Sequence, residues 1–151
     1  MRQLSTRRTS RRLPPDLRRL VLDEDINWKL AKELRCRGMR YTTTNHELEL
    51  LKAADTQLIK ALAEQHEPCV LVSWDNKMVR SHAQALDHFG LTLAVVDRYA
   101  DRGDLTEEEY YREVIHRWAH RMTRQDHGSI LKYSRTRATP VQLRVSSSSR
   151  S

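Results

Sequence analysis

Cysteine, glycine and long apolar runs are all scarce in this chain. The two cysteines among 151 residues, Cys36 and Cys69, form no CxxC pair. Two thiols do not make a disulfide scaffold, and a reducing cytoplasm is the expected compartment. Four glycines supply no Gly-rich phosphate loop. No apolar run approaches the ~20 residues of a membrane helix, so no membrane partner is expected. The Arg-rich N-terminus lacks the apolar segment of a secretory signal. No arrangement of Ser, Cys and His suggests a nucleophile with its base, and no internal repeat is visible. His116 and His120 share a helix face, but Arg117 stands where a zincin would need Glu.

Charge is abundant instead, at 31% against 38% apolar residues. The length suits one domain with a real core. Residues 1–19 hold seven Arg and one Asp, a net +6, and residues 132–151 hold one Lys and four Arg, a net +5. The middle, with 15 basic and 19 acidic residues, carries −4. An acidic body between basic ends suits a polyanionic partner such as nucleic acid; the competing reading is solvated tails. The reading divides the chain into a basic extension (1–17), a domain (18–131) and a basic, Ser-rich, disordered tail (132–151).

The body is organised around Leu20-Val21-Leu22-Asp23-Glu24-Asp25, where an apolar run meets three consecutive carboxylates. Such a run reads as a buried strand. Asp25 fits as N-cap of a helix over about Ile26–Cys36, stopped at Gly38. Met39–Thr44 reads as the second strand, which makes a βαβ unit and a parallel sheet. Asp55 opens a helix over Thr56–Gln65. Cys69–Ser73 is a strand ending in Trp74-Asp75, and a helix over Met78–Phe89 closes at Gly90. Leu91–Val96 is a strand ending in Asp97. Thr106 and Glu109 form a capping box for a last helix reaching Arg124.

Three strands thus deliver an acid at one end: Asp23, Asp75 and Asp97, with Asp55 at a helix start. In a parallel sheet those ends share one edge. Each acid has an ordinary reading as cap or solvated strand end. Together they fit a carboxylate-lined pocket for a hard cation, with Asp23, Glu24, Asp75 and Asp97 as oxygen ligands for Mg²⁺ or Mn²⁺. Arg112, Arg117, Arg121 and Arg124 recur along the last helix, as a phosphate stripe or a solvated face. Trp74 reads as a base-stacking platform or a buried strand-end aromatic, and Trp28, off the apolar face of its helix, as a dimer or partner surface.

The run Leu22-Asp23-Glu24-Asp25-Ile26-Asn27, the helix reaching Leu34-Arg35-Cys36-Arg37-Gly38, Asp55 before Leu58-Ile59, and Val70–Asp75 together resemble the PIN-like ribonuclease domains. The match is to the small PIN-like family that includes toxins of VapBC-type toxin–antitoxin pairs, and Glu113–Met122 resembles that family's last helix. The likeness spans about residues 20–124. It implies a three-layer α/β/α sandwich around a mainly parallel sheet. It also implies metal-dependent endoribonuclease activity on RNA, often tRNA or rRNA, a cognate antitoxin as partner, and a homodimer. Carried over, the catalytic acids are Asp23, Asp55 and Asp75; Lys77, Arg80, Arg117 and Arg121 are expected to hold the nucleic acid. Lys77 stands where relatives often carry a further acid. The alternative is therefore an inactive PIN-like module that binds nucleic acid or a protein.

Overall fold

Apolar residues without a polar alternation mark the strands buried on both faces. In this computed structural model, which describes residues 13–45, 47–48, 54–74, 77–137 and 139–143, they are the centre of the sheet. The elements in chain order are β1 (Arg19–Leu22), α1 (Lys29–Cys36), β2 (Thr42–Thr44), α2 (Asp55–Ala63), β3 (Cys69–Ser73) and α3 (Lys77–Ser81). Then follow α4 (Ala83–Phe89), β4 (Thr92–Val96), α5 (Glu107–Met122), β5 (Ile130–Tyr133) and β6 (Val141–Gln142). The sheet order is β2-β1-β3-β4-β5-β6. All neighbours are parallel except β5 and β6. The fold is therefore mixed α/β with a mainly parallel sheet. No described helix is long and apolar enough to cross a membrane.

Alternate residues of each strand feed two cores. Leu20, Leu22, Val70, Val72, Ala94 and Val96 pack with α1 and α5. Val21, Cys69, Leu71, Leu93 and Val95 pack with α2, α3 and α4. Each of the larger side chains stabilises by about 1.5–3 kcal/mol on burial. The edge strand β2 is three buried threonines, β-branched residues that suit a pleated surface.

Several boundaries shift for local reasons. Helix α1 starts at Lys29 rather than Ile26. Asp23 O accepts from Ile26 N at 3.0 Å, and Asn27 Oδ1, not Asp25, accepts from Lys29 N at 3.0 Å. Met39–Tyr41 leave the strand because Thr42 N and Oγ1 both turn back to Met39 O, at 3.2 and 2.8 Å. The single helix expected over 78–89 is two, broken where His82 leaves helical geometry (φ −127°, ψ 34°). The capping box of α5 is present: Thr106 Oγ1 accepts from Glu109 N at 3.1 Å, and Glu109 Oε1 accepts from Thr106 N at 2.9 Å.

The expected domain end at 131 is corrected. Strand β5 runs through Tyr133, which is buried, and β6 pairs with it from residues 141–142. The basic charge counted over 132–151 hid a short apolar alternation. At the other end, Leu13 N donates to Glu67 Oε2 at 3.3 Å, so residues 13–17 belong with the body; residues 1–12 and 144–151 lie outside the described residues.

Gly90 closes α4 in the left-handed region (φ 67°, ψ 33°), its N–H returning to Leu86 O at 2.9 Å. A Cβ there would meet His127 Nε2 at an ordinary 3.7 Å, so the strain of a side chain is conformational alone. Gly90→Ala is expected to cost about 1–2 kcal/mol. This reads out as a lowered urea midpoint with an unchanged slope; an unchanged midpoint would contradict it.

Candidate functional site

The sheet order reverses beside β1: the chain steps to β2 on one side, then returns past β1 to β3 on the other. Open α/β sheets form a crevice at such a point, outside the carboxyl ends of the strands. Asp23 stands there, directly after β1, with its N–H bound to Val72 O at 2.9 Å.

One oxygen of its carboxylate is held twice. Oδ1 accepts from Glu24 N at 2.9 Å and from Asn45 Nδ2 at 2.6 Å. Burial nevertheless raises the Asp23 pKa, against those two hydrogen bonds and with the charges of Glu24 and Asp55 adding to the rise. Asp55, the first residue of α2, is thus close enough to repel it. The Asp55 carboxylate meets His82 Nε2 at 3.2 Å, from the break between α3 and α4.

Asn45 was not singled out by sequence, although it follows β2 as Asp23 follows β1. It is 1% exposed and anchored by its N–H to Leu22 O at 3.2 Å. Its amide nitrogen is spent on Asp23, and its Oδ1 has no hydrogen-bond partner among the described residues. A buried amide oxygen left unpaired costs about 1–3 kcal/mol, so it is an open acceptor beside a carboxylate.

The other expected ligands divide. Glu24 and Asp25 are exposed on the loop after Asp23 and line the same cleft. Asp75 lies outside the described residues. Asp97 does not join Asp23: β3 intervenes, which separates the strand ends by roughly 10 Å. Asp97 Oδ1 instead accepts from Tyr99 N at 3.1 Å, closing a turn. Among the described residues no three of His, Cys, Asp and Glu form a ready metal-holding group. The groups that act on Asp23 are the Asn45 amide, bonded to it, and the charges of Glu24 and Asp55. Cys69 is no nucleophile, since burial pushes its thiol up to about 11.

Beside Asp23 opens a cleft of about 900 Å³ between β1, β2 and α1. Trp28, Lys32 and Arg35 of the α1 segment line it, with Asn27, Thr44, Glu47 and Tyr111. Trp28 is 63% exposed. Trp74 is 6% exposed and packs edge-on against Tyr111 at 5.3 Å, so it is core and not a stacking platform.

The basic residues also divide. Lys77 opens α3 and Arg80 is exposed on it, directly after the β3 end. Arg117 and Arg121 lie ten and fourteen residues into α5, which runs from the carboxyl edge back to the opposite one; that is roughly 15 and 21 Å along its axis. Arg117 covers the Trp118 ring at 4.5 Å and donates to Arg135 O. Arg112 pairs with Glu33 and Glu108, and His116 with Glu33. Of the expected arginine stripe, Arg112 ties α5 to α1 through Glu33, and Arg117 is turned to Arg135 O and the Trp118 ring. The stripe's helical spacing was readable; the direction in which α5 crosses the sheet was not. No family model matches the chain, and neither curated proteins nor solved structures yield a match.

Proposed function

We propose that the chain is a divalent-metal-dependent endoribonuclease of the PIN-like class, a three-layer sandwich acting as the toxin half of a toxin–antitoxin pair. One observation carries this reading: a half-buried carboxylate, Asp23, is clamped by a buried amide whose own oxygen has no partner among the described residues, at the crevice of a parallel sheet. Carboxylate and amide oxygens are hard donors that suit Mg²⁺ or Mn²⁺. Asp23, Asp55 and the Asn45 oxygen would hold the ion, with Asp75 contributing from the residues after β3. A bound ion there supplies a polarised water and offsets charge on the scissile phosphate.

The chain's own groups do the rest. Asn45 Nδ2 holds the Asp23 carboxylate in one orientation, and His82 does so for Asp55. Lys77, which opens α3, and Arg80, in its last turn, attract the phosphates of an RNA laid along this edge. In this reading the substrate is RNA, tRNA or rRNA, and a cognate antitoxin and a second copy of the chain are the protein partners. Lys77, in place of a further acid, favours a second reading: a module that binds nucleic acid or a protein without cutting.

Titration calorimetry with Mg²⁺ and Mn²⁺ separates the two. The wild type is expected to bind and the Asp23→Asn/Asp75→Asn variant not to, with RNA cleavage that EDTA stops. Equal binding by both proteins would remove the carboxylates from the site. Binding of RNA without metal or cleavage would select the second reading.

A further inference from the structure

Trp28, Lys32 and Arg35 follow one another at intervals of four and three residues, so they occupy one face of the α1 segment. The opposite face carries Leu30, Ala31 and Leu34 into the core. The polar face is therefore the wall of the 900 Å³ cleft, and that cleft ends at Asp23. Trp28 is the most exposed of the large hydrophobics in the cleft, a flat ring approached by the Lys29 Nζ at 5.9 Å from its centre. Lys32 makes no ion pair among the described residues. Arg35 is fixed as part of the wall by Thr42 O and Glu47 Oε1, both at 3.0 Å.

We infer that this cleft is a subsite for one unpaired nucleotide of a single-stranded RNA, its base stacked on Trp28 and its phosphate beside Lys32. This rests on the ribonuclease reading of Asp23 and says where the strand next to the cut lies. Every base has a face that stacks on an aromatic ring, so the subsite tolerates sequence. A lysine one turn along α1 from an exposed ring, in a cleft that mixes apolar surface with six charged side chains, suits a nucleotide, which brings both a stacking face and a charge, better than a purely apolar protein surface.

The charge has a consequence. Four carboxylates (Asp23, Glu24, Asp25, Glu47) face two cations (Lys32, Arg35), leaving a net charge of −2. A phosphodiester chain is repelled until a divalent cation offsets it. RNA binding in the cleft is therefore tied to the metal, and Ca²⁺, a hard cation of the same charge, stands in for Mg²⁺.

The test is fluorescence anisotropy of a short fluorescein-labelled oligouridylate with the full chain in Ca²⁺ or EDTA, alongside tryptophan emission. Binding in Ca²⁺ only, with quenched emission, is expected. Trp28→Ala should weaken it about tenfold or more, and Trp28→Phe should restore part of the loss. Lys32→Ala should weaken it and lower the salt slope by about one. Trp28 lies on the surface, so these variants should melt as the wild type does. Equal affinity in Trp28→Ala would overturn the subsite and leave the metal reading standing. So would a wild type that binds metal but no RNA, or a Trp28-dependent self-association without RNA binding. Absence of both metal and RNA binding would remove the ribonuclease reading and the subsite with it.

Discussion

If the chain is the proposed metal-dependent ribonuclease, Asp23→Asn is expected to abolish divalent-metal binding and to cut RNA cleavage at least about a thousandfold, while making the fold more stable. The loss of activity follows from removing the carboxylate best placed to hold the ion, whose charge stabilisation amounts to several kcal/mol. The gain in stability follows from burial. Burial raises the Asp23 pKa above its ordinary 3.8, so the folded protein binds that proton more tightly than the unfolded chain. Stability is then highest in acid and falls as pH rises through the ordinary value toward the raised one. At neutral pH the fold carries a desolvated charge. An amide in its place carries none, and its oxygen can still accept from Asn45 Nδ2 and Glu24 N. Thermal melts of both proteins from about pH 3 to neutrality should show the variant gaining on the wild type as pH rises. Saturating Mg²⁺, at about 100 times its Kd, should stabilise the wild type by about 2.7 kcal/mol and the variant by nothing. Cleavage that survives the substitution, or an equal Mg²⁺ effect on both melts, would take Asp23 out of the reaction. A site that weakens the fold it belongs to is a recurring pattern where function and stability compete.

Ending the chain after residue 131 is expected to leave it without a cooperative unfolding transition. Tyr133 is fully buried, and its ring packs on Trp118 at 5.5 Å. Its hydroxyl donates to Gln125 Oε1 at 2.7 Å, and Gln125 in turn donates to Leu93 O at 3.1 Å. Tyr133 O accepts from Asp97 N at 2.8 Å, and Ser134 O from Trp118 Nε1 at 2.9 Å. Losing a buried ring of this size costs about 3–5 kcal/mol. Each orphaned buried polar group adds about 1–3 kcal/mol. Against a total stability of about 5–15 kcal/mol, little remains. Circular dichroism during a urea titration would show the loss. A truncated chain with a sharp transition near that of the full chain would contradict it. The single change Tyr133→Phe keeps the ring and strands only Gln125 Oε1, so about 1–3 kcal/mol is expected from the same titration.

Much of the sheet was legible because its middle strands are buried on both faces. Val70–Val72 and Leu93–Val96 are continuous apolar runs, which only a strand buried on both faces needs. Local hydrogen bonding made the start of α5 and the stop at Gly90 readable as well. Local competition hid other boundaries: Asn27 and Thr42 bind nearby backbone and shorten the elements beside them. Strand β5 was missed because four residues with one lysine, inside a basic stretch, carry too little pattern to be told from a loop.

The sequence by itself determined the periodicities, and with them the parallel sheet and the acid after β1. Asp23 had to lie at a strand end, since an unpaired carboxylate cannot sit inside an apolar strand. Only the tertiary structure decided which groups meet there. Asn45 reaches Asp23 because β2 pairs with β1 in register, Leu22 opposite Thr44, so the residues after each strand become neighbours. Asp97 stays apart because β3 comes between, and Arg117 and Arg121 stay apart because α5 runs toward the other edge. Trp28 was readable as an exposed ring, but the cleft it faces exists only once α1 has packed against the sheet. Spacing along a chain sets which face a side chain occupies; strand order and helix direction set what that face meets.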